Sequence, residues 1–305
     1  MDNLFEPSIS RPPTARERVV LVQRLARLTA MESSVADANA KIQELVDGRV
    51  SPPGDLRIRH GFIRLHSAPR TADTTSRRGT ERYERPPSTR VLSPRGLALS
   101  LELTLLLDAQ MRLLPGQLIG GNERAIKAEN TKDGWTDYVA TDAQKADKGQ
   151  VYKSVRDKKV RHIQSGLVRL AAEKLIHLPA DDRGQRDYAG FTLLLDDARG
   201  RGDNDPYKVP DGEDEYFTVP LTLFTNAWIH VLEDSELVVL LIAARMRCRH
   251  GETPQPLPSG PRKLNFGLTK DSYEAAHRVL DYLSILDVIA DWRRSSDLDY
   301  SRGLA

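Results

Sequence analysis

A one-sided set of basic and polar residues between positions 154 and 174 is the group best suited to binding chemistry. On a helical wheel, one side of this segment is apolar and the opposite side carries Lys158, Arg161, His162, Ser165 and Arg169. Residues 153–174 hold seven Lys or Arg and two acidic residues, a net charge of +5. Arginine pairs with guanine, and lysine, serine and histidine contact bases or phosphates. The imbalance favours a DNA-contacting helix over an ordinary solvated surface, which is usually mixed in sign.

Two further arginines, Arg183 and Arg186, lie in the polar stretch 181–187 between two apolar stretches, 175–178 and 188–195. A polar turn between two short apolar runs predicts a hairpin. Arginines at such a tip suit the minor groove or the phosphates that flank it. A charged turn is also the common form of any hairpin, so the neighbouring basic helix is what favours a DNA contact here.

The motifs of the common enzyme classes are absent from the sequence. It has no Gly-x-x-x-x-Gly-Lys phosphate loop, no strand-linked Gly-x-Gly-x-x-Gly and no Gly-x-Ser-x-Gly elbow. The seven histidines show no metal-ligand spacing, and the single cysteine, Cys248, excludes a disulfide framework and a multi-cysteine zinc site. We therefore expect a protein that is not an enzyme and needs neither a metal nor a cofactor.

The N-terminal part of the chain predicts a tail followed by a long helix. Residues 1–13 carry three prolines and little pattern, whereas residues 14–48 are helical in pattern and end at Gly48. The heptad stripe has two polar interruptions, Glu32 and Asn39, and its apolar members are Leu21, Leu25, Leu28, Val35, Ile42 and Val46. Two interpretations stay open: a short coiled coil that forms a homodimer through residues 21–46, or one helix that covers another domain of the same chain.

Residues 49–95 form an arginine-rich segment with eleven Arg, no Lys and four acids. Within it, residues 56–65 predict a small hairpin that turns at His60-Gly61. Residues 71–90 have almost no apolar content and predict a disordered basic linker. The excess of arginine favours an arm that contacts phosphates over a plain tether.

Two globular parts, residues 96–195 and 216–305, flank an acidic linker at 196–215, which holds eight acids and three bases. Each globular part begins with an apolar helix. Each then repeats one spacing: two apolar residues separated by two positions, four further residues, and two adjacent apolar residues. This pattern stands at 167–176 in the first part and at 280–289 in the second. It is typical of a helix that runs directly into a strand.

The junction Leu167-x-x-Leu170-x-x-x-x-Leu175-Ile176, followed by a hairpin with a charged tip, resembles the winged helix-turn-helix superfamily. The segment from 217 to 269 is similar to winged-helix domains of actinobacterial regulators and plasmid replication initiators. The resemblance covers about 190 of the 305 residues. It implies two tandem winged-helix domains, the first placing its third helix in the major groove. The third helix of the second copy, 270–286, lacks a basic excess and is not expected to bind DNA strongly.

Bulk composition sets the remaining expectations. The net charge of the 305 residues is only +2, and no apolar run approaches the ~18–20 residues of a membrane span. With no signal-peptide pattern, we expect a cytoplasmic, nucleoid-associated protein without a membrane partner. The predicted fold is mainly α with small β hairpins, and the predicted function is sequence-specific binding of double-stranded DNA.

Three roles remain open for such a fold. Transcriptional regulation is favoured only because regulators are commoner. The first alternative is a replication initiator that binds origin repeats, and the second is a winged-helix scaffold that binds proteins without sequence-specific DNA binding. The target sequence and any small-molecule effector are not encoded in a recognisable pattern.

Overall fold

The computed structural model describes residues 12–49, 54–67, 81–93, 96–128, 132–142, 154–198 and 205–286. Eleven helices lie in these ranges: α1 Ala15–Asp47, α2 His60–Ile63, α3 Pro87–Arg90, α4 Ala98–Arg112, α5 Trp135–Tyr138, α6 Val155–Ala172, α7 Thr222–Thr225, α8 Trp228–Val231, α9 Asp234–His250, α10 Ser259–Leu264 and α11 Lys270–Tyr282. The described strands are β1 Asp55–Arg59, β2 Ile176–His177, β3 Thr192–Leu193 and β4 Tyr216–Pro220.

The strands form two antiparallel pairs, β1 with β4 and β2 with β3. The prediction of a mainly helical protein with small β elements is therefore confirmed. Every helix within the described ranges is too short or too polar to cross a membrane.

The long N-terminal helix predicted for residues 14–48 is confirmed as α1. Thr14 caps it: its hydroxyl accepts a hydrogen bond from the Glu17 amide, while the Glu17 carboxylate accepts one from the Thr14 amide. Residues 1–11 of the predicted tail lie outside the described residues.

The apolar stripe of α1 divides into two parts. Ile42 and Val46 are buried in the core of their own chain, whereas Leu25 is 64% exposed. Arg24 connects the N-terminal half of α1 to α9 through a bidentate ion pair with Glu236, with N–O distances of 2.5 and 2.7 Å. The C-terminal half of the proposed dimer stripe therefore packs inside the chain. This corrects the expectation that a homodimer uses all of residues 21–46.

The hairpin predicted for residues 56–65 is wrong. β1 is paired with β4, with Leu56 opposite Val219 and Ile58 opposite Phe217, and all four side chains are buried. At His60-Gly61 the chain continues into α2 instead of reversing. The partner strand lies more than 150 residues away, and local turn chemistry carries no information about such a pairing.

The interpretation of residues 49–95 as a mobile arm is wrong for its described parts. Arg59 is 3% exposed and forms ion pairs with Asp196 at 2.8 Å and Asp214 at 3.1 Å. Residues 81–93 hold a 3-10 turn and α3, and Arg82 pairs with Glu173 at 2.5 Å. Residues 68–80, which include the first half of the basic linker predicted at 71–90, lie outside the described residues.

The acidic segment 196–215 is not a solvated linker where the structure describes it. Asp196, Tyr207 and Val209 are at most 2% exposed. Backbone hydrogen bonds tie the segment to its neighbours, for example from the Ile119 amide to the Tyr207 carbonyl at 2.8 Å. The carboxylates at its two ends are counter-ions of Arg59, so their charge reflects internal pairing and not exposure.

Helix α4 lies at the centre of the core. All but two of its 15 residues are buried, including Glu102, Asp108 and Gln110. Gln110 accepts from the Arg57 amide and donates to the Arg57 carbonyl and the Tyr207 hydroxyl, at 2.7–3.0 Å. The Gln110 side chain thus provides hydrogen-bond partners for the Arg57 amide and carbonyl on the edge of β1 that has no neighbouring strand, and buried backbone polar groups need such partners.

Candidate nucleic-acid interface

Helix α6 is the element that positions the predicted DNA-contacting residues. It begins after Ser154, whose hydroxyl accepts from the Asp157 amide at 3.1 Å. Ile163, Leu167 and Leu170 are fully buried, so one side of the helix is fixed in the core. Gly166 allows the close approach to α4, because a Cβ at this position would lie 3.0 Å from the Leu101 side chain.

The opposite side of α6 faces solvent. Arg161, His162 and Ser165 are exposed, and Lys158 is partly exposed. Arg161 makes no hydrogen bond or ion pair with any described residue. Asp157 is the acidic residue on the first turn, and its hydrogen bonds with Ser154 hold the pKa of its carboxyl below the ordinary value. The N-terminal half of α6 therefore presents a basic surface with one local acid.

Two members of the predicted set are engaged within the chain. Arg169 Nη2 donates to the Arg90 carbonyl at 2.7 Å, so this side chain fastens α3 beside α6. His162 Nδ1 lies 3.9 Å from the Asp142 carboxylate, a separation that gives an ion pair only when the imidazole is protonated. The surface available to a ligand is thus narrower than the set predicted from the sequence, and Arg161 and Ser165 form its centre.

The hairpin predicted after α6 is confirmed. Ile176 pairs with Leu193 and His177 with Thr192, and an isolated bridge joins Ala180 to Arg186. At the tip, the Asp181 carboxylate accepts from the amides of Arg183 and Gln185 at 2.9 and 2.8 Å. Arg183 and Arg186 are exposed, so their guanidinium groups extend from a turn that Asp181 stabilises.

Beside α6 lies an ion cluster that no local pattern predicts. Glu173, immediately after the helix, accepts from Arg82 at 2.5 Å and lies 3.5 Å from Arg90. The partners are separated by more than 80 positions along the chain, so their contact leaves no local sequence signal. The cluster places segment 81–93 along the flank of the candidate interface, and Arg82 stays 44% exposed there.

The second globular part presents a different surface. Its helices α9 and α11 pack together, and α11 carries the mixed pair Lys270–Glu274 at 3.6 Å. In the first globular part, the described helix between α4 and α6 is the short α5, and residues 143–153 lie outside the described residues. The strand predicted at 288–289 lies outside them as well.

A cleft of about 350 Å³ opens between α1, α6 and the N-terminal end of α9. His162 lines one side, and His230 and Asp234 line another. Burial raises the pKa of Asp234 to about 7 and lowers the pKa of His230 to about 4. At neutral pH, His230 is therefore uncharged and Asp234 is close to half-protonated.

The described residues contain no group of three His, Cys, Asp or Glu side chains arranged to hold a metal ion. Comparisons of this chain with protein-family profiles, curated proteins and solved structures find no match.

Proposed function

We propose that this chain binds double-stranded DNA, with α6 in the major groove and the β2–β3 tip against flanking backbone. The observation that carries the proposal is the division of α6 into a buried apolar side and an exposed basic side. Ile163 and Leu167 fix the helix, while Arg161 and Ser165 project from a rigid element and form no hydrogen bond or ion pair with another described residue. A helix fixed in this way presents base-reading side chains at low entropic cost.

The order of the elements supports the same proposal. Helices α4, α5 and α6 are followed at once by the β2–β3 pair, which is the order of a winged helix-turn-helix unit. Helix α6 packs on both α4 and α5, as a recognition helix packs on its two supporting helices. In this proposal, the arginines of the tip, Arg183 and Arg186, contact phosphates or the minor groove.

We take transcriptional regulation as the biological role, acting in the cytoplasm at the nucleoid, with origin binding as the alternative within the same chemistry. A protein-binding scaffold is favoured only for the second half, because α11 carries mixed charges and offers phosphate little net attraction. Selection of bound sites from random duplex DNA separates the two DNA-binding roles from the scaffold role. A regulator or an initiator enriches a defined sequence, whereas a scaffold enriches none.

The decisive variant is Arg161→Ala, measured on the selected site and on random duplex DNA. We expect a loss of about 1–3 kcal/mol on the selected site, roughly 5- to 150-fold in affinity, and a smaller loss on random DNA. Arg16→Ala is the matched control, because Arg16 is an exposed arginine on a different helix, α1. Equal losses of affinity on both DNAs would show that Arg161 contacts phosphate and does not read a base. No loss on either DNA would refute the proposal.

A further inference from the structure

Three arginines meet where α2 packs against the C-terminal half of α9. Arg64 follows α2, and Arg245 and Arg249 lie one turn apart on α9. The positive charges of Arg64 and Arg249 both lower the pKa of Arg245. Like charges are held together here, an arrangement that costs free energy unless an opposite charge is present.

Arg245 is the least expected member of this arginine cluster, which we define as Arg64, Arg245 and Arg249. Arg245 is only 6% exposed, and its Nε has no hydrogen-bond partner. Burial, followed by the two neighbouring arginines, lowers the pKa of its guanidinium to about 10, so it still carries its charge at neutral pH. Buried arginines in folded proteins are almost always paired with an anion.

Within the described part of the chain, the cluster has no paired counter-ion. Among the described residues, none forms an ion pair or a side-chain hydrogen bond with Arg64, Arg245 or Arg249. Glu215 and Cys248 are described groups that raise the pKa of Arg245, and both side chains are exposed. His60 beside them adds no charge of either sign, because burial and then Arg245 lower its pKa to about 4 and leave the imidazole neutral.

The dipole of α9 accounts for only part of this arrangement. The negative end of a helix attracts cations within its last turn, where Arg247 and Arg249 lie. Arg247 also has an acid of its own, Glu252. Arg245 lies further from the helix end and Arg64 belongs to another element, so both need a different partner.

We infer that Arg64, Arg245 and Arg249 form a binding site for a phosphate group. Guanidinium groups match the geometry of phosphate oxygens and bind them with paired, charge-assisted hydrogen bonds. The phosphate belongs either to a nucleic-acid backbone or to a free phosphate-bearing molecule, and both present the same oxygens to the site. The inference does not require α6 to bind DNA.

The test compares the full-length wild type with Arg249→Ala and Arg245→Met. Arg247→Ala is the matched control, since Arg247 lies two residues away on α9 and is paired with Glu252. Potassium phosphate is titrated against potassium chloride at equal ionic strength, and thermal unfolding and calorimetry report binding. We expect phosphate to raise the melting temperature of the wild type and of the control. Arg249→Ala weakens phosphate binding roughly tenfold or more, and Arg245→Met abolishes it.

A second arm identifies the source of the phosphate. The affinity for random duplex DNA is measured against salt concentration for the same four proteins. A slope reduced by about 0.9 in Arg249→Ala assigns the site to a nucleic-acid backbone, and an unchanged slope assigns it to a free phosphate-bearing molecule. The inference is overturned if phosphate stabilises all four proteins equally or stabilises none of them. Arg249 is exposed, so its variant stays informative even if Arg245→Met fails to fold.

Discussion

Replacing Arg59 with Met tests whether the arginine-rich segment is part of the core or a mobile arm. The Arg59 side chain donates to Asp196 at 2.8 Å, to both carboxylate oxygens of Asp214 at 3.1 Å and to the Lys208 carbonyl at 2.9 Å. Burial lowers the pKa of Arg59, but Asp196 and Asp214 outweigh burial and hold it above the ordinary value. The substitution leaves Asp196, which is fully buried, without its counter-ion.

Breaking a buried ion pair by removing one partner costs about 3–5 kcal/mol. Natural domains have free energies of unfolding of about 5–15 kcal/mol, so Arg59→Met removes a large fraction of the total. Urea unfolding followed by far-UV circular dichroism measures the loss. A mobile arm predicts instead a change within about 0.5 kcal/mol, as for an exposed surface substitution.

Arg57→Met is the control from the same strand. Arg57 is partly exposed, donates to the Pro210 carbonyl at 2.9 Å and lies 5.1 Å from the centre of the Tyr216 ring. Losing these contacts, in which the partners of Arg57 are uncharged, costs about 1–2 kcal/mol. The assignment of Arg59 to a buried ion network is refuted if Arg59→Met loses no more stability than Arg57→Met.

Three further substitutions probe the cleft and α1. The pKa of Asp234 is raised to about 7 from an ordinary value of 3.8, so its contribution to stability is lost as pH rises from about 4 to 7, at about 1.4 kcal/mol per pH unit. Urea unfolding of Asp234→Asn across this range should lack that slope, and a slope equal to the wild type's would contradict the assignment. In α1, Ile42→Ala should cost about 2–5 kcal/mol because Ile42 is fully buried, whereas Leu25→Ala should change the free energy of unfolding by less than about 0.5. Sedimentation of the Leu25 variant at micromolar concentration shows whether the exposed half of α1 holds a second copy: a wild-type dimer that this variant dissociates would support the dimer, and a wild-type monomer would exclude it.

The helices that position the candidate interface were predictable because their signals are local. Ser154 at the N-terminus and the spacing of Ile163, Leu167 and Leu170 define both the start and the buried side of α6. The hairpin after it follows from a similarly local change of pattern at Leu175-Ile176. Each of these signals lies within a few residues of the element it specifies, so the sequence contains what is needed to place it.

The errors share a different cause, namely contacts between distant parts of the chain. Arg59 lies in a segment whose composition is typical of a solvated basic linker, and Asp196 lies in one typical of a solvated acidic linker. The two side chains nevertheless form an ion pair in the core. Pairing of β1 with β4 is equally long-range. Composition averages over a window and therefore assigns exposure to charges whose partners lie outside that window.

The same argument separates structural arginines from candidate binding arginines in this chain. Arg59 and Arg82 each have a carboxylate partner within hydrogen-bonding distance, so their charges stabilise the fold. Arg161 and Arg245 have none among the described residues, although one is exposed and the other buried. An exposed unpaired arginine is satisfied by water, but a buried one is not, and its cost persists until an anion arrives. The charge of Arg245 therefore gains more free energy from a bound anion than the charge of Arg161 does, even though the sequence around Arg161 has the more recognisable pattern.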